Sequence, residues 1–527
     1  MVTITCYGGV GQIGGNQFLL EDGETRLFFD FGTPYAQWNR YYEEYMKPRP
    51  AAGLLDPLVM GLVPPLEGVY RQDLEGHEPE LWRRVRERPG YRLLDGAHGV
   101  LLSHAHLDHS GYISFLRPEV PVYASAMTAL IAKATQDIGD DFEKEVCYFR
   151  PRELGNEGAL VAARKADLTP RPFAFVDARE LPEEARGFLE QSPLTSRKLT
   201  APSAVVQSDR VGALRLRALS VDHSIYGATA YAVETSAGWV AFTGDIRLDW
   251  APDAKTRALV DALRALRPRA LLCEGTRAGE TGHTVTEDSV AQRALEEVRR
   301  ARGLVIADFG PRNIRRLETF LAVARATGRK LVITAKDAYL LDAMASLQPS
   351  IPSATHPDIF IYRQLKSRPD TWERDVRKRH ESKLVGAEEV RGALDSLVLC
   401  FSYWDLKELV DVDPRGGLYV YSSSEAHSED QQMDLRRLRN WLGHFGIASA
   451  GLPVEVPEGK FQIPEGELGL HASGHSTGED IIHLVNEIAP RTVIPVHTER
   501  PGWFTESLGG TAVEVMEPGY GRPMVLG

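Results

Sequence analysis

The chain has 527 residues and a formal net charge of −12, with 25% charged and 43% hydrophobic residues. This length allows roughly two to four domains, and the composition favours a globular protein. The negative charge argues against non-specific binding of nucleic acid by the whole surface, although it permits a local basic groove. The four cysteines show no CxxC spacing, which excludes a zinc ribbon or disulfide framework and is typical of a reducing compartment.

The N-terminus has no basic stretch leading into an apolar core, so we expect no signal peptide. No uninterrupted apolar run approaches membrane-spanning length. These features predict a cytoplasmic protein that does not span a membrane.

The first 34 residues are predicted to form a β-meander. A strand at Val2–Tyr7 is followed by the glycine-rich turn Gly8–Asn16, and later strands lead to Asp30. A glycine-rich loop after a strand can bind a phosphate group. Here, however, the GxGxxG register is missing and the next element is a strand, so the pattern argues against a nucleotide site.

Three histidines and an aspartate follow the apolar run Gly99–Leu102, which is predicted to be a buried strand. In an extended chain alternate side chains share a face, so His104 and His106 could bind one metal ion together. A turn into a helix at Asp108 would direct Asp108 and His109 towards a second ion. Imidazole and carboxylate groups are typical ligands of zinc and manganese. The alternative is a polar loop that happens to be rich in histidine.

Residues 35–95 are aromatic, Pro-rich and Arg-rich, with one predicted helix at Pro79–Glu87, and residues 137–210 are irregular and mixed. From about residue 252 the chain alternates between helices and strands, which predicts an α/β domain. The elements predicted in this part include the strands Ala270–Cys273, Leu304–Ala307, Lys330–Thr334 and Thr492–Val496 and the helices Ala254–Leu266, Ser289–Arg302, Asn313–Thr327, Gln431–Phe445 and Glu479–Ile488.

Further metal donors follow predicted strands later in the chain. His223, Asp245 and His497 each come just after a strand. A lone histidine in such a place is usually structural. In this order, behind the first cluster, the three residues indicate a metal-dependent hydrolase that holds two ions and leaves room for water.

Taken together, these motifs resemble metallo-β-lactamase-fold hydrolases of the β-CASP branch, and they are most similar to ribonuclease J-type nucleases. The segment Gly8–Asn16 matches the signature of that group. The four fold motifs are matched by Asp30, by His104, His106, Asp108 and His109, by His223, and by Thr243-Gly244-Asp245. The three motifs of the branch are matched by Glu274, His475 and His497.

The resemblance implies an αββα metallo-β-lactamase sandwich with an inserted α/β β-CASP domain. The first part of the sandwich is expected over residues 1–278, with insertions at about 35–95 and 137–210. The β-CASP domain is expected over 279–455, and the return segment over 456–527. The C-terminal domain that supports dimerisation in the family is expected to be missing, which leaves the oligomeric state open.

The resemblance also implies two divalent metal ions, with zinc favoured and manganese as the alternative. The first ion is assigned to His104, His106 and His223, and the second to Asp108, His109 and His497. Asp245 would bridge the two ions.

For catalysis, the resemblance implies roles for Asp108, Asp30, Glu274 and His475. Asp30 would act from behind the ligands, since such contacts orient metal-binding side chains. His475, held by Glu274, would stabilise or protonate the leaving oxygen, a task that suits imidazole.

Two short segments are predicted to contact the substrate. His471, Ser473 and Gly474 precede a helix whose N-terminus would attract a phosphate group. Arg312 and Asn313 occupy the position at which the family has a phosphate-contacting loop.

The function favoured by the sequence is metal-dependent hydrolysis of RNA, preferably single-stranded, in an exonucleolytic or endonucleolytic mode. His497 favours RNA over DNA, because a histidine at this motif accompanies RNA processing in the family. A DNA nuclease of the same branch is the first alternative. A small-molecule hydrolase acting on a thioester or lactam would have no use for the insert with Glu274 and His475. A non-catalytic scaffold would have lost metal ligands, and here all of them are present.

Overall fold

The computed structural model describes residues 1–43, 45–76, 80–139, 144–164, 167–199, 209–248, 254–282, 285–423, 429–456 and 461–527. The chain forms two compact units. The first comprises Met1–His283 and Gly474–Gly527, and the second comprises Thr284–Ser473. The domain limits expected from the sequence, after 278 and after 455, stay a prediction.

Within the described residues, the first unit contains two seven-stranded sheets, each with parallel and antiparallel pairs. In the first sheet the strands lie in the order Phe173–Phe175, Val122–Ala124, Val100–Leu101, Thr25–Phe29, Phe18–Asp22, Val2–Cys6 and Pro523–Leu526. In the second sheet the order is Arg210–Val211, Leu214–Ser220, Thr229–Thr235, Gly238–Phe242, Ala270–Glu274, Thr492–Val496 and Glu514–Val515.

The two sheets face each other across a shared hydrophobic core. Because successive side chains of a strand point to opposite faces, each sheet also has an outer apolar face. Leu27 and Val240 pack into the shared core. Their neighbours Phe28 and Ala241 point away from it into two separate outer clusters.

Helices cover the outer faces and complete the layers. The outer cluster of the second sheet includes Leu259 from the helix Lys255–Leu266 and Leu484 from the helix Gly478–Ile488. The predicted αββα arrangement is therefore confirmed. The other helices of this unit are Tyr35–Trp38, Leu55–Val59, Leu81–Val85, Leu107–Ser110, Ala126–Asp137, Glu183–Leu189 and Pro501–Leu508.

The second unit contains a parallel sheet, as the alternation of helices and strands predicted. Its strands, as far as they are described, lie in the order Leu384–Val385, Ile359–Tyr362, Lys330–Ile333, Leu397–Cys400, Val305–Asp308, Leu418–Tyr421 and Ala448–Ala450. The helices are Glu287–Arg300, Ile314–Ala326, Ala335–Ala345, Thr371–Arg379, Ala387–Arg391, Leu409–Val412 and Glu429–Phe445. No helix in the described ranges is long and apolar enough to cross a membrane.

Several elements differ from those predicted. The helix Ala335–Ala345 was missed because seven of its eleven residues are buried, so its sequence lacks an exposed polar face. The strand Pro523–Leu526 was missed because it depends on pairing with Val2–Cys6 at the other end of the chain. The predicted helix from Pro79 is shorter, Leu81–Val85, and Pro79 itself lies outside the described residues.

The packing of the helix Gly478–Ile488 gives a test of this architecture. Leu484 is fully buried against the second sheet, whereas Asn486 on the same helix is exposed. We expect Leu484→Ala to lower the free energy of unfolding by about 3 kcal/mol, through lost burial and the cavity left behind. Asn486→Ala should change it by less than about 0.5 kcal/mol. Denaturant titration followed by circular dichroism measures both, and equal effects would contradict the packing described.

Candidate metal centre

The predicted metal ligands follow the carboxyl ends of neighbouring strands. Thr25–Phe29 and Val100–Leu101 are parallel neighbours in the first sheet, and they lead to Asp30 and His104 respectively. In the second sheet, Gly238–Phe242, Ala270–Glu274 and Thr492–Val496 are parallel neighbours. These three strands deliver Asp245, Glu274 and His497 to a single edge. Parallel strand order therefore gathers residues that are hundreds of positions apart in the chain.

The first predicted ligand group is brought together. His104 Nε2 lies 3.0 Å from His106 Nδ1, and His223 Nε2 lies 3.3 Å from the same atom. One ligand atom from each residue falls within 4.8 Å of the others. The backbone is extended at His106 and becomes helical at Leu107, as the predicted turn requires.

The second predicted group is also brought together, around the carboxylate of Asp245. Asp108, His109, Asp245 and His497 offer ligand atoms within 4.8 Å of one another. His109 Nε2 lies 3.0 Å from Asp245 Oδ2 and 3.4 Å from Asp108 Oδ2. His497 Nδ1 lies 3.5 Å from Asp245 Oδ1. Asp245 also faces the first group, because His104 Nε2 is 3.8 Å from its Oδ2.

Asp30 is completely buried behind these ligands. Its carboxylate accepts hydrogen bonds from the backbone N–H of Ser103 at 2.7 Å and from the Ser103 hydroxyl at 2.8 Å. It also lies 2.7 Å from His109 Nδ1. This bond directs the other ring nitrogen of His109 towards Asp245, so Asp30 sets the orientation of a predicted ligand.

The glycine-rich turn supports the same site. The backbone N–H of Asn16 donates to the carbonyl of Asp108 at 3.1 Å, and Asn16 Oδ1 lies 3.1 Å from His497 Nδ1. A Cβ atom on Gly14 would lie 2.9 Å from Asp108 Oδ2, and Gly14 has φ +76°. Glycine is required there because a side chain would displace the carboxylate. The turn thus shapes the metal centre.

Three of the imidazoles are held in the neutral form that binds metal. Burial, reinforced by the nearby imidazoles, lowers the pKa of His104 well below its usual value. Burial and the nearby His475 lower the pKa of His223 to about 4. Burial also lowers the pKa of His497.

His109 behaves differently because it lies among carboxylates. Burial alone would lower the pKa of His109, but Asp245, Asp108 and Asp30 raise it well above its usual value. Although burial opposes ionisation of Asp245, the neighbouring His109 and His497 hold its pKa well below the usual value. In the metal-free site, positive charge is therefore favoured on His109, beside the carboxylates, while His104, His223 and His497 are favoured in the neutral form.

These residues fit a divalent cation. His109 Nε2 and Asp245 Oδ1 are buried and have no hydrogen-bond partner in the described part of the chain. Buried polar atoms are nearly always partnered, so such atoms pointing into one cluster indicate a missing ligand. Nitrogen and carboxylate donors match the preferences of zinc.

His475 lies beside this cluster. Its Nδ1 is 3.0 Å from both Glu274 oxygens, and its Nε2 is 3.9 Å from Asp245 Oδ2. Burial opposes the charged form, but Glu274 and Asp245 raise the pKa of His475 to about 9. Glu274 is fixed in turn by the N–H of Ile246 at 2.7 Å and by the hydroxyl of Thr276 at 2.7 Å. The predicted pair is therefore in contact.

Four of the five predicted substrate residues belong to the second unit. In the second unit, Asn313 Oδ1 accepts from the N–H of Arg316 and caps the helix Ile314–Ala326. His471 lies with its ring nitrogens 2.7 Å from the Ser423 carbonyl and 2.9 Å from the Gly451 carbonyl. Asn313 therefore holds neighbouring backbone, whereas His471 joins two backbone segments that are distant in sequence. Arg312 and Ser473 are partly exposed in this unit.

Gly474 belongs to the first unit. Its carbonyl accepts from His223 Nδ1 at 2.7 Å, which leaves the other ring nitrogen of His223 for the ligand cluster. A Cβ atom on Gly474 would lie 2.9 Å from the His223 ring. The glycine thus positions a predicted metal ligand.

Three residues of the site were missed by the sequence reasoning. Ser103 bonds Asp30, Thr276 contacts both Glu274 and His475, and Asn16 links the glycine-rich turn to His497. Each is next to a predicted residue or inside a predicted motif. Small hydroxyl and amide residues give no distinctive signal, so only proximity to a motif could have marked them.

Comparison with known families gives one match at the C-terminal part of the site. Residues 469–505 match the family described as the Zn-dependent metallo-hydrolase RNA specificity domain. This stretch contains His475, its neighbouring glycine and His497.

Curated relatives extend the similarity over most of the chain. Ribonuclease J from Mycobacterium tuberculosis is 24% identical over 501 residues, which cover 94% of this chain and 68% of that protein. Ribonuclease J from Mycolicibacterium smegmatis is 22% identical, with the same coverage. Ribonuclease J from Helicobacter pylori is 21% identical over 507 residues, which cover 94% of this chain and 56% of the relative.

A solved structure supports the fold. A protein of unknown function from Enterococcus faecalis V583 superposes with a TM-score of 0.65 at 20% sequence identity, with all of both chains covered. At this identity the likeness shows the fold alone.

The αββα layers and the His/Asp cluster are typical of metal-dependent hydrolases with the metallo-β-lactamase fold, and the matched Zn-dependent metallo-hydrolase domain supports a hydrolase of this kind. Within that class, the comparisons support a ribonuclease J-like protein of the β-CASP branch.

The position of Asp245 gives a test of the metal centre. We expect Asp245→Asn to reduce the divalent metal retained after dialysis by at least about tenfold, because the neutral amide is a poor ligand. Plasma mass spectrometry measures the metal content. The exposed Asp261 on the helix Lys255–Leu266 provides a matched control, Asp261→Asn, which should retain the wild-type content. Undiminished metal in the Asp245 variant would show that the ion lies elsewhere.

Proposed function

We propose that this protein is a metal-dependent ribonuclease that hydrolyses phosphodiester bonds of single-stranded RNA, and that its site holds two divalent ions, with zinc favoured over manganese. The observation that carries this proposal is the pair of adjoining ligand groups that share Asp245. The similarity to ribonuclease J and to the RNA specificity domain supports RNA as the substrate.

In this proposal His104, His106 and His223 bind the first ion, and Asp108, His109 and His497 bind the second, with Asp245 between them. Bound ions would supply Lewis acidity towards the phosphate group and lower the pKa of an attacking water. The chain would contribute ligand atoms whose orientation is fixed, because Asp30, Asn16 and the Gly474 carbonyl contact the imidazoles that would face the ions.

His475 is proposed as the general acid. Its Nδ1 is held by Glu274, so its Nε2 faces Asp245 and the space beside the ligand cluster. In the metal-free site Glu274 and Asp245 raise the pKa of His475 to about 9, which favours the protonated ring. It can therefore give a proton from Nε2 to the leaving ribose oxygen. Glu274 fixes the ring and stabilises its charge.

Arg312 and the segment Ser473-Gly474 are proposed to contact substrate phosphate groups. Arg312 is partly exposed and precedes the helix Ile314–Ala326, whose N-terminus favours an anion. His471 and Asn313 are proposed to support this role through the backbone contacts that they make. Specificity would come mainly from phosphate contacts and base stacking, as is usual for single-stranded RNA.

The substrate can be tested with a 5′-monophosphorylated single-stranded RNA labelled at either end, with zinc or manganese added. We expect cleavage of this RNA and a loss of at least about 10³-fold in a variant that combines Asp108→Ala with His109→Ala, because two ligands of one ion are removed. His444→Ala, at an exposed position of the helix Glu429–Phe445, is the control and should be fully active.

A matched DNA strand and a chromogenic thioester, run beside the RNA, separate the alternatives. Release of mononucleotides from one end indicates an exonuclease, and internal fragments indicate an endonuclease. Cleavage of DNA or of the thioester with the RNA left intact would refute the RNA assignment while leaving the metal centre standing.

The general-acid role of His475 can be tested through the leaving group. We expect His475→Ala to slow cleavage of RNA by about 10²–10⁴-fold, because the ribose oxygen then leaves without a proton. A nucleotide p-nitrophenyl phosphodiester needs little protonation of its leaving group, so its cleavage should fall by less than about tenfold.

Metal content of the His475→Ala variant, measured in parallel, should match the wild type. Equal losses on both substrates, with the metal retained, would assign His475 to substrate binding and not to proton transfer.

A further inference from the structure

Two arginines of the first unit are buried outside the candidate metal centre. Arg71 is 0% and Arg171 is 2% exposed. Arg71 comes from the insertion 35–95, and Arg171 comes from the insertion 137–210. A buried guanidinium group is destabilising unless hydrogen bonds and charge partners compensate for the lost water. Their contacts therefore indicate what the insertions do.

Arg171 binds a cluster of backbone carbonyls. Its Nη1 donates to the carbonyl of Arg117 at 2.8 Å and to that of Val120 at 3.5 Å, and its Nη2 donates to the carbonyl of Leu116 at 3.0 Å. In the described part of the chain, no ion pair of Arg171 with a carboxylate is observed within 4 Å. Burial and the nearby Arg71 lower the pKa of Arg171 to about 9. Carbonyl dipoles are thus its main support.

Arg71 binds the turn immediately before those carbonyls. Its Nη1 donates to the carbonyl of Ser114 at 3.3 Å, and its backbone N–H donates to the carbonyl of Phe115 at 2.9 Å. Its Nε and Nη2 form a two-point ion pair with Asp73 at 3.0 and 2.7 Å. Asp73 therefore stabilises the charge and keeps the guanidinium plane in place.

The carbonyls that the two arginines bind lie at and just beyond the end of one helical segment. The helix Leu107–Ser110 continues directly into the 3₁₀ helix Gly111–Phe115. The last carbonyls of such a segment have no partner within the helix and carry partial negative charge. A planar guanidinium group with several donors suits these carbonyls better than an ammonium group does.

The other end of the segment is held by the loop that follows the strand Thr25–Phe29. The backbone N–H of Phe31 donates to the carbonyl of His109 at 2.9 Å, and the N–H of Thr33 donates to that of Leu107 at 2.9 Å. Asp108 and His109 therefore lie on a short helix that is fixed at its start by the loop after Thr25–Phe29 and at its end by the two insertions.

The insertions also brace each other. The N–H of Arg152, from the second insertion, donates to Asp73 Oδ2 at 2.7 Å. Arg71 Nη2 donates to the carbonyl of Arg150 at 3.1 Å, and its guanidinium group stacks 3.9 Å from the centre of the Phe149 ring. Loss of one arginine would therefore loosen a shared support.

We propose that Arg71 and Arg171 are positioning residues, through which the two insertions hold the Asp108/His109 helix in register with Asp245 and His497. This inference rests on the proposed function, which assigns these ligands to a second ion. The first ligand group depends on it less. His104 and His106 lie before the helix, and His223 is held by the Gly474 carbonyl.

The test is a cobalt(II) titration of the metal-free protein, followed by visible absorption and by competition with a chelating indicator. We expect the wild type to take up two equivalents. Arg171→Met should retain one tight equivalent, while the other is weakened about 10–100-fold and shows an altered cobalt spectrum. Arg71→Lys and Arg171→Lys, which keep the charge but lose the planar donor set, should show a smaller change in the same direction.

Arg186→Met is the matched control, because Arg186 is exposed on the helix Glu183–Leu189 of the same insertion. It should bind both equivalents as the wild type does. Circular dichroism of the metal-free proteins separates loss of folding from loss of binding. If Arg171→Met does not fold, the two lysine variants decide the question.

Folded variants that bind both equivalents unchanged, or that lose both equally, would overturn the positioning role alone. A wild-type protein that takes up only one equivalent would overturn the two-ion assignment of the proposed function as well, so the two failures are distinguishable.

Discussion

The buried carboxylate of Asp245 is the interaction on which the site depends. Within the described residues, ring nitrogens of five histidines lie within 3.9 Å of its oxygens: His104, His109, His223, His475 and His497. Buried imidazoles repel one another when protonated, so most of them are held neutral, and the remaining positive charge gathers where carboxylates stabilise it. A divalent cation at this point would balance ionised carboxylates that are otherwise costly to bury. The arrangement is therefore compatible with a bound divalent metal ion.

Backbone strain accompanies the same residues. Asp30 and His497 both follow buried strands and both have φ +53°. Left-handed backbone is uncommon for residues other than glycine, although Asp and His adopt it more readily than most, and it costs about 1–3 kcal/mol at each position. The turn at Asp30 places its carboxylate under His109, and the turn at His497 brings its ring to Asn16 and Asp245. Hydrogen bonds offset the strain at both residues, and both strained residues lie at the candidate metal centre.

The residues predicted as ligands are brought together by the fold, because short motifs carry their own geometry, while their binding of metal stays a prediction. His104 and His106 share a face by strand periodicity, and a turn into a helix separates Asp108 and His109 from them. The resemblance to a known family predicted the αββα layers, and the alternation of helices and apolar strands predicted the α/β character of the second unit. Contacts such as that of Thr276 with His475 were not predicted, because a residue with a small hydroxyl side chain has no distinctive sequence pattern. Its role becomes visible only when the fold brings the chain segments together. Among the predicted substrate residues, the side chains of Asn313 and His471 contact protein backbone in the structure. Their contact with RNA stays a prediction.

The two segments that are predicted to be insertions show why a sequence without a periodic pattern is difficult to interpret. Segments 35–95 and 137–210 lack periodicity, and the arginines in them look like ordinary surface residues in a linear chain. The role of Arg71 and Arg171 becomes clear at the end of a short helix, where several buried carbonyls need hydrogen-bond donors because water is excluded. The position of a ligand side chain on such a helix depends on the backbone that carries it. A helix of four residues has little stability of its own, so other contacts must hold it. Arg71 and Arg171 supply hydrogen-bond donors from two chain segments that lie outside the ligand motif. The positions of Asp108 and His109 therefore depend on residues that the motif does not contain. Sequence motifs identify which atoms could bind a metal, and the surrounding fold determines whether those atoms hold their positions.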